Sequence, residues 1–235
     1  KNLKALIPGN LFSNNEILYI NRKDYIEPLN QPDVYQVALR DSSLSATYEI
    51  GIFNSEALGN ENGILPDNKN IPLTFSYNLD YVDNQNWESK DKLSLYRWEP
   101  EYKKWIYQGA FPASDDVVVF QEINRLGEYT ILYNDDNTAP TVTANVQDQE
   151  FTLGGYISGT GVISLVLSDA NGIDIFDNEI QLYLNGNLVP QDDFTVATNP
   201  YNLTSVPIKY QLNLDAGNYR LIVDCTDVNG NPDSS

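Results

Sequence analysis

The chain has 235 residues, 41% hydrophobic and 11% aromatic, with one cysteine, no histidine and no methionine. Its 33 Asp and Glu against 14 Lys and Arg give a net charge of −19. The numbers allow one large or two small packed domains, and they exclude histidine-based triads, His-ligated zinc or haem, and any internal disulfide.

The charge argues against partners rich in phosphate: nucleic acid or an anionic membrane would be repelled, while cations would be attracted. No run of about 18 apolar residues occurs, so no membrane insertion is expected. Scarce cysteine in a chain rich in Asn and Tyr fits an extracellular or cell-surface bacterial protein. With Lys1 first, the expectation is a processed chain, and the lack of a signal segment does not argue for the cytoplasm.

In chain order, a short strand from Leu3 meets Pro8-Gly9, and a second covers Glu16 to Ile20. Strands are expected at Val34–Leu39 and Ala46–Phe53, then a surface loop over 54–72. Ile71 to Leu79 alternates, with Leu73, Phe75 and Tyr77 on one face. Leu93 to Trp98 and Lys104 to Tyr107 form a hairpin across Glu99-Pro-Glu-Tyr-Lys103. Strands at Val117–Glu122 and 124–133 close the first unit.

Tyr133-Asn-Asp-Asp-Asn-Thr-Ala-Pro140 gathers turn formers, two carboxylates and a proline, a composition that cannot sit inside a sheet. The expected division is therefore a domain at 1–134, an acidic linker at 135–140 and a domain at 141–235. The second domain carries strands at Thr141–Val146, Val162–Leu167, Ile180–Leu184, Ile208–Leu214 and Tyr219–Thr226. Asn185-Gly186 marks a hairpin turn, since both residues tolerate positive φ. No stretch shows a helical stripe. Short strands at this spacing predict an all-β chain of two β-sandwich domains in tandem, the second immunoglobulin-like and lacking its last strand. That gap reads as a cut or unseen end, with a groove completed by another chain as the alternative.

Gly127-Glu-Tyr129-Thr-Ile131 and Gly217-Asn-Tyr219-Arg-Leu221 each match the tyrosine corner of sandwich folds, a structural motif. Residues 138–231 resemble the immunoglobulin-like repeats of Bacteroidetes-type secreted proteins, including type IX secretion substrates. The likeness rests on Leu167-Ser-Asp-Ala-Asn-Gly-Ile173, Gln181-Leu-Tyr-Leu-Asn-Gly186, Leu214-Asp-Ala-Gly-Asn-Tyr219 and Asp227-Val-Asn-Gly-Asn231. Residues 3–133 resemble bacterial relatives of the sandwich shared by ankyrins and netrin receptors, through Leu6-Ile-Pro8, Leu93-Ser-Leu-Tyr-Arg-Trp98, Trp105 and Leu126-Gly-Glu-Tyr129. Such modules space, support or present something else, which implies a non-catalytic structural or adhesive segment. Its partners would be other domains of the same larger protein, surface proteins or glycans.

Asn134 to Pro140 also resembles the calcium linker of cadherins, departing from it at Asn134. Ca²⁺ takes six to eight oxygens. The candidate ligands are Asp135, Asp136, Asn137, Asp169, Asn171, Asp227 and Asn229, although Asp-x-Asn-Gly is equally what a tight turn wants without metal. Alternation puts Tyr96 and Trp98 on one face of the hairpin and Trp105 and Tyr107 on the shared face of its partner. Exposed, these rings would stack on sugars, the basis of a carbohydrate-binding alternative; covered, they are cross-strand pairs. The adjacent acids Asp115-Asp116 and Asp192-Asp193 point to opposite faces of a strand and cannot flank one glycosidic bond. Distant pairs such as Glu49 with Glu122 stay open. A further alternative is an accessory region of a secreted hydrolase.

Overall fold

The computed structural model describes residues 3–7, 17–37, 47–53, 65, 69–76, 92–109, 111–113, 118–146, 152, 154–176, 179–197 and 202–235. Asp115-Asp116 and most of the loop expected over 54–72 lie outside them. The described residues are all-β, without an α-helix; a 3₁₀ turn covers Gln191–Asp193. By contacts the chain divides into two compact units. The first comprises Lys1–Leu29, Asp33–Pro100 and Lys104–Asp135, and the second Asn30–Pro32, Glu101–Lys103 and Asp136–Ser235. The boundary falls between Asp135 and Asp136, inside the acidic stretch.

The first unit has strands β1 (Leu3–Ala5), β2 (Ile17–Lys23), β3 (Val34–Gln36), β4 (Thr47–Phe53), β5 (Ile71–Ser76), β6 (Leu93–Glu99), β7 (Lys104–Tyr107), β8 (Phe111–Ala113), β9 (Val118–Ile123) and β10 (Gly127–Asn134). One sheet runs β1-β5-β9-β8 and the other β2-β4-β10-β6-β7, with β3 also on β10. All pairings are antiparallel. The alternation read in β5 holds for Ile71, Leu73 and Phe75, which are buried against Ile50, Leu95, Tyr129 and Ile131. That shared core joins the two sheets as layers, an arrangement consistent with a β-sandwich. The Tyr129 hydroxyl donates to Arg125 O at 2.6 Å and so ties the start of β10 to the preceding turn.

The aromatic hairpin faces away from this core, but it is covered. Trp98 lies opposite Trp105 and Tyr96 opposite Tyr107, as alternation requires. Tyr96 and Trp105 are fully buried, Trp98 is nearly so and Tyr107 is half-buried, packed with Val34, Leu132, Ile26 and Leu29. The segment between β2 and β3 lies over them: Trp105 Nε1 donates to Glu27 O at 3.1 Å, and Thr47 Oγ1 to Tyr25 O at 2.8 Å. A sugar ring would have to displace that covering to reach Tyr96, Trp98 or Trp105.

The second unit has β11 (Thr141–Val146), β12 (Val162–Ser168), β13 (Gln181–Leu184), β14 (Asn187–Leu188), β15 (Phe194–Val196), β16 (Ser205–Gln211), β17 (Leu221–Thr226) and β18 (Pro232–Ser234). Its sheets are β11-β12-β16-β15 and β14-β13-β17-β18. Leu165, Leu167 and Ile208 from one sheet meet Leu182, Val223 and Cys225 from the other in a single core. Asn185 and Gly186 take φ of 51° and 80° and close the expected two-residue hairpin.

Three expectations are corrected. A further strand does follow β17: β18 pairs antiparallel with it, and Val223 and Ser235 exchange both backbone hydrogen bonds. Two short strands, β8 and β15, add to the strands expected. Tyr219 does not repeat the corner of Tyr129, for it is exposed at 43% and its ring lies over Gly217.

Candidate metal centre

Two Asp-x-Asn-Gly loops of the second unit are built alike. Asp169 follows β12; its Oδ1 accepts the amides of Asn171 at 2.7 Å and Gly172 at 3.2 Å. Asp227 follows β17; its Oδ1 accepts the amides of Asn229 at 2.9 Å and Asn231 at 2.8 Å. Each aspartate thus satisfies its own loop, the usual work of this side chain in a turn. The loops are stitched together by Val228 N donating to Gly172 O at 2.9 Å and by a bridge between Ile173 and Asp227.

Both loops converge on Asp136. Asn171 Nδ2 donates to Asp136 Oδ2 at 2.7 Å and Asn229 Nδ2 to the same oxygen at 3.0 Å. Asp136 Oδ1 accepts Thr138 N at 3.0 Å. Carboxylate oxygens of Asp136, Asp169 and Asp227 all lie within 4.8 Å of one another. The three residues are 6%, 7% and 0% exposed.

Three buried acids this close are electrostatically costly. Burial pushes the Asp227 carboxyl up to about 7, aided by the charges of Asp169 and Asp136 and opposed by hydrogen bonds from Asn231. Burial also raises Asp169, with Asp136 adding to it and the amides of Asn171 and Gly172 working the other way. Among the described residues no ion pair involves Asp169 or Asp227. The donor set is all oxygen, with no imidazole or thiol, and suits a hard cation such as Ca²⁺ rather than zinc or copper. Three carboxylates would supply up to three negative charges against a divalent ion, and backbone oxygens and water would complete the coordination.

Of the seven residues put forward from sequence, Asp136, Asp169 and Asp227 come together as oxygen donors. Asn171 and Asn229 are present but aim their amide nitrogens at Asp136, holding it in place. Asp135 turns away to form an ion pair with Lys92. Asn137 is exposed. Gln31 is the participant that sequence reasoning missed: its Nε2 donates to Asn229 Oδ1 at 2.8 Å, so that Asn229 both accepts from Gln31 and donates to Asp136.

The other acidic groups are engaged differently. Glu49 lies opposite Glu128 in the β4–β10 register rather than beside Glu122, which takes the Asn70 amide at 3.1 Å. Lys23 pairs with both Glu49, at 3.4 Å, and Glu128. The Tyr19 hydroxyl bond at 2.9 Å, followed by Lys23, holds Glu49 below the ordinary carboxylate range. A carboxylate kept ionised in this way is unsuited to the protonated-acid role in glycoside hydrolysis. A concavity of 440 Å³ beside β13, β17 and β18 has Glu179, Asp224 and Asp233 in its lining. Ser234 Oγ donates to Asp224 at 2.6 Å and Ser235 Oγ to Asp233 at 2.5 Å.

No family model matches the chain, and no curated protein matches its sequence.

Proposed function

We propose that this chain is a non-catalytic structural segment of a larger extracellular or surface-anchored bacterial protein, with an immunoglobulin-like second unit that binds Ca²⁺ through Asp136, Asp169 and Asp227. It acts as a spacer, adhesive or presentation module for other domains of that protein. The observation that carries the reading is the convergence of three buried carboxylates, drawn from three separate stretches of sequence, on one spot 4.8 Å across. A divalent cation would offset the burial, and the added repulsion, that now raise Asp169 and Asp227, and it would tie the end of β12 to the end of β17 and the start of β11. The burial of the aromatic hairpin favours this reading over sugar stacking.

The test is calorimetric titration of the metal-stripped chain with Ca²⁺ and, separately, Mg²⁺. Saturable binding of Ca²⁺ at a single site, tighter than Mg²⁺ and lost in Asp169→Asn, is the expected result. Heat no larger than dilution at millimolar Ca²⁺ would remove the site.

A further inference from the structure

Three Asn-Gly pairs fall among the described residues, at 171–172, 185–186 and 229–230, and the same dipeptide meets two different environments. We propose that Asn185 is a spontaneous modification site, converting to aspartate and isoaspartate in the folded chain, while Asn171 and Asn229 are protected by the same fold.

The chemistry needs three things. The backbone nitrogen of the following residue must be free to attack Asn Cγ. Negative charge developing on Oδ1 must be stabilised. Water must reach the product. At Asn185 all three are met. Gly186 sits at the tip of the β13–β14 hairpin, exposed, with nothing within 4 Å of the position a side chain would occupy. No acceptor among the described residues takes its N–H. Asn185 Oδ1 already accepts the Arg220 amide at 2.8 Å, a donor placed where the tetrahedral intermediate carries its oxyanion. In the other two pairs the nucleophilic nitrogen is committed: Gly172 N donates to Asp169 Oδ1 at 3.2 Å and Gly230 N to Asp227 O at 3.1 Å. Asn171 and Asn229 are also buried.

The step balances with water alone. Gly186 N gives up its proton and bonds to Cγ, and Nδ2 leaves as ammonia with a proton gained from solvent, giving a cyclic imide. Water then opens either carbonyl, yielding aspartate with the chain unaltered or isoaspartate with one extra backbone carbon. Aspartate keeps an acceptor for Arg220. Isoaspartate lengthens the turn and disturbs the pairing of Leu184 with Asn187.

The experiment incubates the folded chain and the chain in concentrated urea side by side at mildly alkaline pH, with peptide-mapping mass spectrometry and an isoaspartyl methyltransferase assay. Urea exposes all three pairs and calibrates the dipeptide itself. In the folded chain Asn185 should convert at least about tenfold faster than Asn171 and Asn229, and folding should not slow it. An Asn185 that stays intact, or that folding protects as strongly as the other two, overturns the proposal. The pair at 62–63 lies outside the described residues, and its peptide is scored separately.

Discussion

Asp227 is the residue whose surroundings make the clearest demand. In the metal-free chain its carboxyl keeps its proton up to about pH 7 when folded, against an ordinary value of 3.8. Between those values the folded chain binds more protons than the unfolded one. Its contribution is therefore fully present below the lower value, falls as pH rises, and is gone above the upper. The slope is up to about 1.4 kcal/mol per pH unit in that window. Asp169 shifts in the same direction, whereas Glu49, which is lowered, works the opposite way and loses stability towards acid. A comparison with Asp227→Asn isolates the term, because the amide keeps an acceptor for Asn229 N and Asn231 N but cannot ionise. Urea midpoints taken from about pH 4.5 to 8 should fall with pH more steeply in the native sequence than in the variant. Parallel profiles would mean that Asp227 does not carry the raised pKa. Saturating Ca²⁺ should reverse the native slope, since metal ligands must be deprotonated to bind.

At the scale of the element, two contacts on the same face of the larger sheet of the first unit can be tested. A Cβ added at Gly51 would lie 2.4 Å from the Tyr19 ring, so glycine is what lets that ring lie flat across β4. Gly51→Ala would push the ring aside and break its hydrogen bond to Glu49, costing about 1–2 kcal/mol. In a Tyr19→Ala background the same change should cost little, and a double-mutant cycle measures the difference. Equal costs in both backgrounds would show that the ring is not the obstacle. Trp105→Ala, which empties the covered aromatic cluster and frees Glu27 O, should cost about 3–5 kcal/mol in thermal or urea unfolding. A loss below about 1 kcal/mol would mean that the covering segment does not hold.

These elements also show what could be read from sequence. The pairing of Trp98 with Trp105 and the two faces of β6 followed from a period of two. What covers the aromatic face did not, because residues 24–33 have no period and their contacts are distant: Trp105 is 78 positions from Glu27. The two Asp-x-Asn-Gly loops stood out as candidates, but the motif reads the same whether it closes a turn or holds an ion. Only the fold shows Asp136 arriving between them and Asp135 leaving for Lys92. Gln31 lies 198 positions from Asn229, and nothing local marks it.

The whole molecule carries a formal charge of −19, and that field acts on stability independently of any site. Like charges spread over a folded surface repel one another more than in the expanded chain, so screening should favour the compact state. Sodium chloride raised from about 0.01 M to 0.15 M shortens the screening length from about 30 Å to 8 Å, and the melting temperature should rise with it and then level off. The three-aspartate centre predicts something that screening cannot supply. At fixed, high ionic strength, millimolar Ca²⁺ should still raise the melting temperature, the increment should grow with the logarithm of free Ca²⁺, and matched Mg²⁺ should give less. Asp227→Asn should abolish that increment while leaving the sodium chloride response in place, because removing one charge of this total barely changes the overall field. A calcium effect that vanishes at high sodium chloride would assign the response to general screening, and one that survives in Asp227→Asn would place it away from this centre; either would leave the three carboxylates as a hydrogen-bonded lock between loops.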